Sequence, residues 1–199
     1  VVSQSGNYIL GIHSQETIDN LPYAIDIQID PIPTPTPLPN NWSCAVYPSS
    51  DIPQRIEDLA TLGSAVNVPA SGAVTHVGIK DITFDHGGLW NLSFGLTAPD
   101  GTQVDLFRFD DYGFYTWCGG SDCHLSIDDG AIEGLKPPQF PNDGGAFRPS
   151  RNSFAPFNGK ASNGTWTLLV SDDFVPEPGD TDAGDTTGDL FSWSLEVCV

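Results

Sequence analysis

Basic residues are scarce in this chain. Seven Lys and Arg stand against 26 Asp and Glu over 199 residues, a formal charge of −19. Such a surface repels a phosphate backbone, which argues against nucleic acid as a partner. An anionic membrane face is disfavoured for the same reason. No apolar run approaches membrane-spanning length. No secretory leader is expected in this sequence, so an exported form has had its leader removed or carries it outside these residues. The motifs of common chemistry are missing too: there is no HExxH pair, no GxSxG elbow, no P-loop and no GxGxxG turn. His13, His76, His86 and His124 belong to no catalytic pattern. His76 reads as a surface or edge residue beside Val77 on a strand. His86 reads as a turn residue in DHGG with a structural hydrogen bond. These gaps argue against an enzyme. Helical signals are also few, since only Gln54 to Leu62 allows a turn or two, and there is no internal repeat.

What the chain does have is glycine, proline and alternation. Its 21 Gly and 17 Pro mark many turns. Residues 31–39 read PIPTPTPLP, and alternating proline makes an extended spacer. The chain therefore divides into a segment at 1–30, a linker at 31–41 and a main domain at 42–199. Two strand-like pieces precede the linker, at 7–13 and 23–29. Two strands cannot make an independent core. They are expected to end a missing domain or to pair with something else. After the linker, period-two alternation dominates. Val77 and Ile79 share a face, then Ile82 and Phe84 do, so the phase slips at Lys80–Asp81 and a bulge is expected there. Trp90, Leu92, Phe94 and Leu96 alternate up to a PDGT turn, and Val104 and Leu106 follow as hairpin partners. Trp166, Leu168 and Val170 alternate, as do Phe191, Trp193, Leu195, Val197 and Val199. The expected class is all-β, a sandwich with long loops across 110–160.

Carboxylates are the main candidates for a site. They pair at Asp110–Asp111, Asp128–Asp129 and Asp172–Asp173, and recur through 180–189. Calcium takes six to eight oxygens, and loops between strands can supply them. The segment DTDAGD is not an EF-hand, because its glycine comes one position early and no glutamate stands at the twelfth. Asp128 and Asp129, with Asp172 or Asp173 and with Asp81 at the bulge, are the expected calcium ligands. The cysteines are Cys44, Cys118, Cys123 and Cys198, and the absence of CxxC spacing argues against a cysteine zinc site. Four cysteines allow three pairings. The expected one joins Cys118 to Cys123 across a four-residue loop and Cys44 to Cys198, with the second bridge off the core face. Disulfides imply a secreted or surface protein. Three N-x-S/T sequons, at Asn41, Asn91 and Asn163, are compatible with export.

Several stretches in order resemble the P domain (also called P/Homo B) of kexin- and furin-like proprotein convertases. NGTWTLLVSDD at 163–173 is similar to its Gly-Thr-Trp-Thr-Leu signature. VGIKDITFDHGGLWNLSFGLTAPDGTQVDLF resembles its paired strands, and LSIDDGA its Phe-Asp-Asp-Glu-Ala segment. GAFRPSRNSFAPFNG resembles its Gly-x-Tyr-Arg-Pro run, and GDLFSWSLEV its closing strand. The chain departs from the pattern at Gly88-Leu89-Trp90, where the family has Gly-Asp-Leu, and in a longer acidic insertion at 176–187. The resemblance implies a β-jelly roll without catalytic groups, which in convertases packs on the protease and stabilises it, and which binds calcium in bacterial relatives. Separately, the first ten residues resemble the closing strand of bacterial pre-peptidase C-terminal domains, with Ser-Gly-Asn-Tyr before alternating apolar residues. A second function follows from the orphan segment: residues 7–30 could add to the sheet edge of another copy and build a filament. A carbohydrate platform of Trp42, Trp90, Trp117, Trp166 and Trp193 is a further reading, weakened because Trp166 and Trp193 alternate inward.

Overall fold

The structure is a computed structural model, and it describes residues 42–86, 91–108, 122–134, 144–173 and 187–199. The segment 1–30, the linker at 31–41, Trp90, Trp117, Cys118 and the acidic residues 174–186 lie outside the described residues.

Among the described residues eleven strands follow one another: β1 (Cys44–Pro48), β2 (Gln54–Ile56), β3 (Thr61–Val68), β4 (His76–His86), β5 (Leu92–Thr97), β6 (Gln103–Phe107), β7 (Cys123–Asp128), β8 (Glu133–Gly134), β9 (Ala146–Arg148), β10 (Gly164–Asp172) and β11 (Gly188–Cys198). They form two sheets. The larger runs β1-β11-β4-β7-β9-β8, with β2 also paired to β11; the smaller runs β3-β10-β5-β6. This is the expected all-β sandwich. No helix among the described residues is long and apolar enough to cross a membrane.

Alternation explains why the sheets stack. Trp166, Leu168 and Val170 on β10, with Leu92, Phe94 and Leu96 on β5, turn one face of the small sheet inward, and all are 0–2% exposed. Val77, Ile79, Ile82 and Phe84 on β4 do the same for the large sheet, at 0–1%. The faces meet where Phe84 and Phe94 approach, ring centroids 5.2 Å apart. Phe94 stacks on Phe107 at 4.5 Å, and Phe157 meets Trp166 edge-on at 5.1 Å. The buried indole N–H groups find acceptors, as buried polar groups must: Trp166 Nε1 donates to the Ser162 carbonyl at 2.9 Å and Trp193 Nε1 to Ser64 Oγ at 2.7 Å.

The expected bulge is present. Pairing of β4 with β7 shifts between Ile79 and Ile82, and Asp81 sits there at φ 51°. Aspartate tolerates this left-handed region better than most residues. Three expectations need correction. Gln54–Leu62 forms β2 and the start of β3, because pairing with β11 and burial of Ile56 outweigh a marginal helical propensity. Phe191 does not share the face of Trp193: a register shift between Leu190 and Ser192 turns Leu190 inward and leaves Phe191 half-buried. His86 is the last residue of β4 rather than a turn residue, and it is buried.

Cys44 and Cys198 form a disulfide between directly paired residues of β1 and β11. Cys198 is buried but stands apart from the contiguous apolar core, so the bridge lies off the core face as expected. Cys123 is also disulfide-bonded, while its expected partner, Cys118, falls outside the described residues.

Candidate functional site

The outer face of β4 carries a cross of four ionisable side chains built around a glycine. β4 lies between β11 and β7 in the large sheet. Gly78 pairs with Glu196 on one side and with Asp128 on the other. His76 and Lys80 flank Gly78 two residues away on the same strand, hence on the same face. Without a side chain at 78, the four groups converge over the backbone: a Cβ there would stand 3.0 Å from Asp128 Oδ2 and 3.5 Å from Glu196 Oε2.

The contacts are short. Lys80 Nζ lies 3.0 Å from Asp128 Oδ2 and 2.9 Å from Glu196 Oε2, bridging the two carboxylates. His76 Nε2 lies 3.3 Å from Asp128 Oδ2 and 3.7 Å from Glu196 Oε2. The Gly130 N–H donates to the other Asp128 oxygen at 2.8 Å. The four side chains are 15–26% exposed, so water reaches the cluster only in part. The hydrogen bond to Asp128 raises the His76 pKa against the opposing effect of burial. Burial favours neutral forms of Asp128 and Lys80, yet their partners outweigh it, so Asp128 is held below the usual carboxylate range and Lys80 is raised. The cluster is thus built to hold positive charge against two carboxylates. His76 Nε2, Asp128 Oδ2 and Glu196 Oε2 all lie within 4.8 Å of one another, close enough to share one metal ion.

Calcium is expected at Asp128 and Asp129, with Asp172 or Asp173 and with Asp81; among the described residues no three of these offer oxygens within 4.8 Å of one another. Only Asp128 enters this cluster. Asp129 accepts the Phe154 N–H at 2.9 Å, and burial raises its pKa. Asp81 is exposed and faces His124 at 3.3 Å. Asp173 accepts from Ser93 Oγ at 2.9 Å, beside a polar depression of about 320 Å³ that Gln103 and Asp105 also line. Asp172 continues the inward series of β10 and meets His86, which continues the inward series of β4. Their side chains are fully buried and 3.2 Å apart, one from each sheet. Asp110, Asp111, Asp180, Asp182 and Asp185 lie outside the described residues.

His76, Lys80 and Glu196 were not legible as partners of Asp128, because they come from other strands and only the register brings them together. His76 is a part-exposed residue of the outer face, as a surface reading expects, but its strand is central in the sheet rather than at an edge. Of the sequons, Asn163 is exposed, Asn91 is 4% exposed and offers no surface for a glycan, and Asn41 lies outside the described residues. Trp166 and Trp193 are 0–1% exposed and cannot form a sugar platform.

No protein-family model and no curated protein matches the chain. Among solved structures it is similar to the serine protease of Aeromonas sobria, at 20% identity and a TM-score of 0.46, over 82% of this chain and 28% of that one. It is similar also to the complex of Aeromonas sobria serine protease with a chaperone, at 18% identity and a TM-score of 0.46, over 79% of this chain and 26% of the other. The chain spans little more than a quarter of the length of those chains.

Proposed function

We propose that residues 42–199 form a non-catalytic accessory module of an extracellular protein, of the P-domain kind. The placement of the motif residues carries this reading. The resembling stretches fall in order on β4, the β5–β6 hairpin, β7, β10 and β11. Within them the distinctive residues are packing residues: Trp166, Leu168, Trp193 and Leu195 are 0–1% exposed, at the centre of the sandwich. A pattern of that kind specifies a core, not a set of reacting groups. The Cys44–Cys198 disulfide supports an oxidising compartment.

Of the carboxylates expected to bind calcium, Asp128 contacts Lys80, Asp129 the Phe154 N–H and Asp173 the Ser93 hydroxyl, while Asp172 and Asp81 lie beside His86 and His124. The test of the non-catalytic reading is direct. The purified chain, incubated with casein and with chromogenic peptide and ester substrates, should release no product above buffer. Turnover abolished by a single substitution within 42–199 would overturn it.

A second reading has one observation in its favour. Among the described residues β1 is the end strand of its sheet, four of its five residues are exposed, and Val46 is 52% exposed. An open edge accepts an added strand, and residues 7–30 of another copy have the alternation to supply one. In that case the protein is a self-assembling structural subunit.

A further inference from the structure

We infer that His76, Asp128 and Glu196 form a binding site for a divalent first-row transition metal such as zinc, with the Lys80 ammonium as a built-in competitor for the same place. The site is distinct from the accessory role and does not depend on it.

Convergence is the first ground. One imidazole nitrogen and two carboxylate oxygens from three adjacent strands lie within 4.8 Å of one another. Three protein ligands with an open fourth position is an ordinary zinc arrangement, and the partial exposure of the cluster leaves room for a water as the fourth. The second ground is rigidity. All three ligands stand on paired strands, and the Gly130 N–H fixes the other oxygen of Asp128. Ligands held by the scaffold need little ordering on binding. The third ground is that a cation already sits there. Lys80 Nζ touches both carboxylates at 2.9–3.0 Å, from the end of a flexible four-carbon stem that is 26% exposed. A divalent ion that also takes the imidazole gains what the ammonium cannot, and the stem can swing to solvent.

Ligand chemistry selects the class of ion. Calcium and magnesium take oxygen, whereas an imidazole suits zinc, nickel, copper and cobalt. No covalent step is involved: the ion displaces the Lys80 ammonium, and takes the imidazole in its neutral form.

The test is calorimetric titration of zinc chloride, and in parallel cobalt(II) chloride with visible absorption, into tag-free, chelator-treated full chain. The wild type should bind one ion, and cobalt should develop ligand-field bands. Lys80→Met should bind at least tenfold tighter, even if its melting temperature falls, and zinc should raise that temperature. His76→Gln, shown folded by circular dichroism, should lose the heat and the bands. Two results overturn the inference: no binding by wild type and Lys80→Met at millimolar metal, or binding that His76→Gln leaves unchanged. The second would place the ion on other carboxylates or on His124.

Discussion

Single residues carry much of this fold. Trp166 is fully buried, stacks edge-on against Phe157 and donates its indole N–H to Ser162. Trp166→Ala removes the ring, leaves a cavity and orphans the Ser162 carbonyl, at a cost of about 3–5 kcal/mol. Urea denaturation checks this, and a midpoint within experimental scatter of the wild type would mean that the β10 register is misassigned. Asp51 is a second such residue. Its carboxylate accepts from Ser49 Oγ and Ser64 Oγ, each at 2.6 Å, and from the Ala65 N–H at 2.8 Å, and Ser64 in turn accepts from Trp193. Burial pushes its pKa up, but these hydrogen bonds outweigh burial and hold it below the ordinary aspartate value. A depressed carboxyl contributes stability that is present above its unfolded pKa and is lost as pH falls through the folded one. The melting temperatures of wild type and Asp51→Asn should therefore differ most near neutral pH and draw together below about pH 4. A gap constant from pH 7 to pH 2 would show that the ionised form is not what the network stabilises.

Elements differ in how clearly their sequences announce them. β10, β5 and the second half of β11 are legible because Trp, Leu, Val and Phe alternate there with polar residues. The slip at Lys80–Asp81 is legible because apolar residues stand on both sides of it. β3 was not foreseen: TLGSAVNV carries Gly63, Ala65 and Asn67, and its inward series includes Ser64, a polar residue whose burial depends on Trp193 and Asp51. The register shift in β11 is hidden in the sequence because Phe191 continues an apolar alternation that the backbone breaks. The candidate site was one-quarter legible. Asp128 stood out at the end of a short strand, while its three partners depend on the pairing of β4 with β7 and β11, which no local pattern encodes. The disulfide was legible, and it ties the outermost strand β1 to β11 across a separation of 154 residues. In the chain-entropy model a loop of that length is worth about 4–5 kcal/mol. Cys44→Ala/Cys198→Ala should lose stability of that order by guanidinium denaturation, whereas a change below about 1 kcal/mol would mean that the unfolded chain is already restricted.

At the scale of the whole molecule, a formal charge of −19 surrounds an all-β sandwich and favours solubility. Net charge far from zero opposes self-association, while the open edge at β1 invites it. The acidic self-repulsion is long-ranged, and salt screens it over about 8 Å at physiological ionic strength. The accessory-module reading requires that repulsion and an unaugmented edge prevail. Light scattering on the full chain, measured across concentration and at low and physiological salt, decides between the two readings. The accessory-module reading predicts a constant mass of 21.3 kDa. A mass that grows with concentration, and returns to that of a monomer when residues 1–41 are deleted, would contradict it.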